Sequence, residues 1–362
     1  MSRAFESVRI GRWDLPQRFV MAPLTRNRAG QGNAPTELNA TYYAQRASAG
    51  LIITEGTAPS AVGQGYLNVP GLYTDEQVAG WKLVADAVHA KGGRVVAQLM
   101  HAGRIAHPDN KDGLESIAPS AVVAPGEMVT AEGPKPHATP RALDLGDMPG
   151  LVEEYVNAAR NAIAAGLDGV EVHAANGYLL HQFLDPEANH REDSYGGSPQ
   201  NRSRLTVEVV TAVAEAIGAD RVGVRISPGH QFNGIVEADA DDVAATYAAL
   251  VNGIAPLKLA YLSILAANGT DIAADLGARF GGPVLLNDGF GDVTSLESVE
   301  RVLEAGLADA VVVGRPFLAN PDLVTRWENG RDMNEPNPDT FYGGAEQGYT
   351  DYPRLEDLGQ AS

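Results

Sequence analysis

Residues 173–183 read HAANGYLLHQF and follow the apolar run GLDGVEV. Within six residues the chain delivers His173, Asn176 and Tyr178. A histidine and an asparagine can both donate hydrogen bonds to one carbonyl oxygen. A tyrosine with an ordinary pKa of about 10 keeps its proton at neutral pH and can act as an acid. Two donors and one proton source are what reduction of an activated alkene needs: the donors hold the enolate oxygen as charge develops, and the acid protonates the neighbouring carbon. The plainer alternative is a satisfied loop histidine beside a core tyrosine. No metal is expected, because the segment has neither an H-x-x-x-H nor an H-E-x-x-H pattern and no carboxylate completes a triad.

Polar residues also follow the other short apolar runs. They include Pro23-Leu24-Thr25, Glu55-Gly56-Thr57, Gln98 and His101, Arg225, Asn287-Asp288-Gly289 and Gly314-Arg315. The segments NDGFGDVTS and VGRPF offer glycines whose amides can approach a phosphate, and Arg315 offers a forked cation. Asp288 fits a dianion poorly unless its side chain turns away. Arg225, inside the apolar VGVRISP, is costly to bury alone. It is either half of a buried ion pair or a fixed cation facing an electron-rich ring, with Gln98 as a neutral amide partner.

These residues need a frame that gathers strand ends. The runs FVMA (19–22), LIIT (51–54), RVVAQL (94–99), GVEVH (169–173), VGVRI (222–226), AYLSI (260–264), PVLLN (283–287) and AVVVG (310–314) read as eight strands. They are nearly continuous in apolar character, the mark of parallel strands covered on both faces. Amphipathic helices separate them, with predicted caps at Thr74, Asp147 and Thr294 and stops at Gly166 and Gly306. The pattern predicts an α/β protein, one (β/α)8 TIM barrel spanning 1–362, whose chemistry sits where the strands end. A doubly wound sheet is the alternative, but no G-x-G-x-x-G opens a helix after an early strand. Residues 8–19 predict a hairpin turning near Gly11 that plugs the bottom of the barrel. Residues 102–148 form a long excursion after the third strand, expected as a lid or side wall. The tail, 341–362, is expected to fold back over the site.

Composition narrows the function. The 362 residues are 44% hydrophobic and contain no cysteine. Disulfides, thiolate metal sites, iron–sulfur clusters and a cysteine nucleophile are therefore excluded. The net charge of −19 repels phosphate backbones, so nucleic-acid binding is not expected. No apolar stretch is long enough for a bilayer, and the first residues lack the apolar core of a secretory signal. The expectation is a cytoplasmic protein without membrane partners, as a monomer or homodimer.

The stretches MAPLTRNRA (21–29), AQLMHAGR (97–104), HAANGYLLHQFLDP (173–186), DSYGGSPQNRSRL (193–205), VGVRISP (222–228), DAVVVGRPFLANPDL (309–323) and FYGGAEQGYTDYP (341–353) resemble the old yellow enzymes, in the expected order over nearly the whole chain. That resemblance implies bound FMN, NADPH or NADH as reductant, and reduction of the C=C bond of α,β-unsaturated carbonyl compounds with ping-pong kinetics. It extends to nitro compounds and nitrate esters. It implies Pro23, Leu24, Thr25, Gly56, Gln98 and Arg225 around the flavin ring, and Asn287, Gly289, Gly314 and Arg315 toward the phosphate. His173 and Asn176 would bind the substrate carbonyl, Tyr178 would donate the proton, and Tyr66, Met100 and Tyr349 would border the substrate. Met100 stands where relatives often have tryptophan, so substrate preference is not carried over. Thr25 stands where one branch has cysteine. An iron–sulfur dienoyl-CoA reductase is excluded by the missing cysteines and the length. A flavin store without turnover would need no Tyr178.

Overall fold

The protein is described here from a computed structural model covering residues 2–266, 270–291 and 293–358. Eight strands, Phe19–Met21, Leu51–Thr57, Val95–Leu99, Gly169–Ala174, Val222–Ile226, Tyr261–Leu265, Val284–Asn287 and Ala310–Val313, close into a barrel. Every neighbouring pair is parallel. These are barrel strands one to eight below. Each coincides with a predicted apolar run; the second extends to Thr57, and the third, sixth and seventh begin one residue late.

Side-chain alternation decides what each strand offers. Val170, Val172 and Ala174 pack outward in the large apolar layer beneath the helices, as do Val222, Val224 and Ile226, and Val95, Ala97 and Leu99. The alternate residues must then face the lumen. That set is Glu171 and His173, Gly223 and Arg225, and Gln98. Register brings them level: Gln98 pairs with Glu171, and His173 with Arg225. Gly223 is required by a close approach, since a Cβ there would lie 2.1 Å from the Tyr261 ring filling the lumen.

The lower lumen is apolar. Val20, Leu51, Ile53, Val96, Leu285 and Val312 meet Ile10, Trp13 and Leu15 from an antiparallel hairpin, Val8–Ile10 with Trp13–Leu15. The hairpin turns at Gly11, whose φ of +54° favours glycine, and closes the bottom as expected.

Helix starts follow the predicted chemistry in part. Thr74 caps Asp75–His89 in a full capping box. Asp147 does not cap Met148–Ala164: its carboxylate is occupied by Arg141 and by the Asp144 amide. Ser295, not Thr294, caps Leu296–Glu304. Thr294 instead donates its hydroxyl to Asp288 Oδ1 at 2.9 Å. Thr294 lines the cavity at the barrel mouth, and Asp288 does not.

The excursion holds its own hairpin, Glu127–Thr130 with Gly133–Pro136. It is a wall, not a cover. Ala102, Ile105, Ala106, Ala124 and Met128 pack against Met100 and Tyr178, yet no residue of 102–148 lines the cavity. The tail does reach the mouth, through Phe341 and Tyr342. Arg26 and Arg28 hold it by its backbone, donating to the carbonyls of Thr340, Phe341, Ala345, Gln347 and Gly348. The last four residues of the predicted tail lie outside the described residues.

Candidate active site

The C-terminal mouth of the barrel encloses a cavity of about 460 Å³. That lies within the ordinary range for small-molecule sites, about 300–1,000 Å³. The structure brings Pro23, Leu24, Thr25, Gln98, Met100, His173, Asn176, Tyr178, Arg225, Asn287, Gly289, Gly314 and Arg315 around this single hollow. Among the described residues no carboxylate lines it, although the chain as a whole carries −19. Two arginines do, so the local field favours an anion.

The turn after strand four is tightly built. Asn176 has φ +56°, a region that asparagine tolerates better than most side chains. Gly177 follows with φ +79°, and a Cβ there would lie 2.5 Å from Asn233 Cβ. The Gly177 amide donates to His181 Nδ1 at 3.0 Å, and its carbonyl accepts from Gln182 at 2.8 Å. Tyr178 then stands at the start of Leu179–Leu184, with its ring 5.3 Å from the His173 ring and its hydroxyl 2.8 Å from that of Tyr66. Burial pushes the Tyr178 hydroxyl well above its ordinary pKa, and the neighbouring Tyr66 adds to the shift. It therefore keeps its proton throughout the neutral range. Burial pulls His173 well below its usual value, with the Arg225 charge acting in the same direction. His173 is a neutral imidazole whose Nδ1 has no hydrogen-bond partner among the described residues.

Arg225 resolves one of the open alternatives. Among the described residues it forms no ion pair within 4.0 Å and its Nε and Nη1 are buried without hydrogen-bond partners, while its Nη2 donates to Asn287 Oδ1 at 3.3 Å. Such donors are costly to leave unmade. Arg225 lines the mouth, where a guanidinium suits an electron-rich, partly anionic edge of a bound ring. Glu171, one layer below, receives Gln98 Nε2 at 2.8 Å and holds that amide in place. Burial raises the Glu171 pKa, against the pull of Arg225. Glu171 escaped the sequence reading, though the same alternation that turns His173 inward turns Glu171 inward too.

At the far end, Asn287 donates to Val312 O at 2.9 Å, and Gly289 has φ +92°. Arg315 Nη2 donates to Phe290 O at 2.9 Å, fastening the loop after strand seven to strand eight.

Three predicted neighbours sit elsewhere. Tyr349 is fully buried away from the cavity, stacked 4.0 Å from the Tyr42 ring with Arg26 and Arg28 over its face. The aromatic residues the tail brings to the mouth are Phe341 and Tyr342. Gly56 does not line the cavity; a Cβ there would lie 2.5 Å from Met100 Sδ, so its role is to seat Met100. Tyr66 supports Tyr178 from behind the lining. Sequence reasoning also missed Phe232, Phe290 and Thr294. For the two phenylalanines the available signal was an aromatic residue beside glycine or asparagine in a rim loop, outside any core periodicity.

The chain matches the NADH:flavin oxidoreductase / NADH oxidase family over residues 3–334. It belongs to that family, the old yellow enzymes. A probable flavin mononucleotide-dependent alkene reductase of Leishmania infantum is 42% identical over 354 residues, covering 95% of each chain. A chanoclavine-I aldehyde reductase of Penicillium roqueforti is 41% identical over 97% of this chain and 96% of its own. Among solved structures, morphinone reductase superposes with a TM-score of 0.92 at 42% identity, covering 99% of this chain and 97% of its own. An old yellow enzyme homologue of Zymomonas mobilis gives 0.92 at 40% identity, covering 97% and 99%. This old yellow enzyme is an FMN-dependent NAD(P)H oxidoreductase. No helix among its described residues is long and apolar enough to cross a membrane.

Proposed function

We propose that this enzyme reduces the C=C bond of α,β-unsaturated carbonyl compounds, with His173 and Asn176 holding the carbonyl oxygen and Tyr178 supplying the proton. One observation carries the reading. An acid kept protonated by burial and two side chains able to donate hydrogen bonds line the same hollow as Arg225, whose Nε and Nη1 are buried and unpartnered.

The residues present fit FMN. Arg225 and Gln98 meet the requirements of a ring with a polar edge, Pro23, Leu24 and Thr25 form the adjoining wall, and Gly289, Gly314 and Arg315 offer the anion end. When bound, FMN supplies the hydride chemistry between NAD(P)H and the alkene. The chain's own residues do the rest. His173 and Asn176 orient the carbonyl and draw electron density toward its oxygen, which makes the β-carbon electrophilic. The same contacts stabilise the enolate as it forms, and they count most there because the site is preorganised. Tyr178 releases its proton to the α-carbon, and its hydroxyl lies 2.8 Å from that of Tyr66. One cavity serves reductant and substrate in turn, so a ping-pong pattern is expected. The enzyme works as a cytoplasmic protein on small, uncharged enones and enals.

The purified protein is expected to be yellow. NADPH without oxygen should bleach it, and cyclohexenone should restore the colour. A colourless preparation that takes up no FMN removes the reading. A bleached enzyme that no enone recolours removes the substrate assignment alone.

A further inference from the structure

Asn176 is gripped at three points by the loop that follows strand five. Its amide donates to Ser227 Oγ at 2.9 Å, and its carbonyl accepts from Asn233 Nδ2 at 2.9 Å. Its side-chain Oδ1 lies 3.3 Å from His230 Nδ1. The first two contacts fix the left-handed backbone. Only the third acts on the side-chain amide, and the functional reading depends on which way that amide faces. An asparagine amide has two orientations that differ by half a turn. One presents N–H donors to a ligand; the other presents an oxygen, which repels a carbonyl. Because oxygen and nitrogen share one trigonal carbon, a donor that claims the oxygen also decides where the nitrogen points.

His230 is itself immobilised. Its backbone amide donates to Ser227 O at 3.2 Å. Its ring stacks on Phe232 at 5.6 Å and 4° and meets the edge of Phe290 at 5.0 Å and 74°. Those two phenylalanines line the cavity, whereas His230 does not. Its place is therefore behind the lining, with one nitrogen turned to Asn176. Burial lowers its pKa, His181 and Arg225 adding to the effect, so it is a neutral ring with a single N–H to give.

We propose that His230 is a positioning residue for substrate recognition: the Nδ1–H tautomer donates to Asn176 Oδ1 and thereby turns Asn176 Nδ2 into the cavity as a donor toward the substrate carbonyl. The proposal rests on the ene-reductase reading given above. Phe232 and Phe290 hold the imidazole in place, which couples the apolar rim of the mouth to the polarity of the carbonyl site.

Two substitutions separate the N–H from the ring. His230→Phe keeps an aromatic ring between Phe232 and Phe290 but has no donor. His230→Asn loses the ring but places an amide nitrogen where Nδ1 stands. For cyclohexenone, kcat/KM of H230F is expected to fall about tenfold, the cost of one misdirected hydrogen bond, and that of H230N to stay within about threefold of wild type. FMN retention and melting temperature should match wild type in both. In an Asn176→Ala background, H230F should add little further loss, since the two act through one contact. Wild-type behaviour of H230F overturns the proposal. So does an H230N as poor as H230F, which would make the ring the important part, or a full H230F effect without Asn176. If H230F fails to retain FMN, H230L and H230N replace it as the pair, being similar in shape and different in the donor. A wild type that is bleached by NADPH and never recoloured by enones fails at the substrate reading itself, before any variant is compared.

Discussion

The two ends of one barrel lumen follow the same alternation of inward side chains and reach opposite results. At the bottom, Ile10, Trp13 and Leu15 meet Val20, Leu51 and Val312, and the lumen is packed and apolar. At the mouth, His173 Nδ1 and two nitrogens of Arg225 are buried without hydrogen-bond partners among the described residues. Burying an apolar side chain stabilises by roughly 1.5–3 kcal/mol, whereas an unsatisfied polar group costs about 1–3 kcal/mol. The bottom therefore holds the barrel shut, and the mouth is kept in an unfavourable state that a ligand can relieve. Stability and reactivity occupy different levels of the same strands, so changes at one level should leave the other's readout in place.

The largest effect is expected from Tyr178→Phe. It should slow recolouring of the reduced enzyme by cyclohexenone by about 10²–10⁴-fold, the usual span for a general acid, while NADPH bleaching continues. Equal slowing of both half-reactions would take Tyr178 out of the proton-donor role. Trp13→Ala tests the other end. Loss of a buried aromatic side chain should cost about 3–5 kcal/mol in urea unfolding. The folded fraction should still hold FMN and turn over enone. Unchanged stability with lost turnover would dissolve the division between plug and mouth.

The same division explains what the sequence could tell. Strands and plug were legible because continuous apolar runs admit few other readings, and Gly11 marks the turn between Ile10 and Trp13. Arg225 and His173 stood out as polar residues in apolar strands. Glu171 was equally inward but lacked a rim position to draw notice. Tyr349 misled because the tail's glycines let the chain double back: Phe341 and Tyr342 reach the mouth, while Arg26 and Arg28 draw Tyr349 beneath it. Asp147 and Thr294 misled because each had a partner that propensity does not see, Arg141 in one case and Asp288 in the other. Cap preferences are local, and in both places a hydrogen bond to a residue in the preceding loop overrides them.

A smaller effect should separate the two ends by pH. Glu55 lies behind the Pro23–Thr25 wall, accepting from the Arg26 amide at 3.0 Å and from Tyr43 Oη at 3.3 Å. Burial pushes its carboxyl from 4.5 up to about 7, against the opposing pull of Arg26. A carboxyl with a raised native pKa binds more protons folded than unfolded between those values. Its contribution is fully present below about pH 4.5 and is lost as pH rises through about 7. Urea unfolding of wild type should show this loss, at most about 3 kcal/mol. Glu55→Gln should flatten the curve across that window. Parallel curves for both proteins would place the pH dependence elsewhere, outside the mouth.

The smallest expected effect tests whether Arg315 serves a ligand or only its own loop. Its guanidinium lines the cavity and also donates to Phe290 O, so Arg315→Ala removes both contacts. Bound FMN alone cannot tell them apart, because a loosened Gly289–Phe290 turn would weaken any flavin. Riboflavin can, since it has the ring without the phosphate. If Arg315 meets the phosphate, the variant should lose about tenfold in FMN affinity, near 1.4 kcal/mol, with riboflavin affinity nearly unchanged. If the arginine only fastens strand seven to strand eight, both affinities should fall together and their ratio should hold. The ratio therefore isolates the charge at one end of the mouth from the packing around it. A constant ratio would leave Arg225 as the mouth's single cation with a ligand to meet.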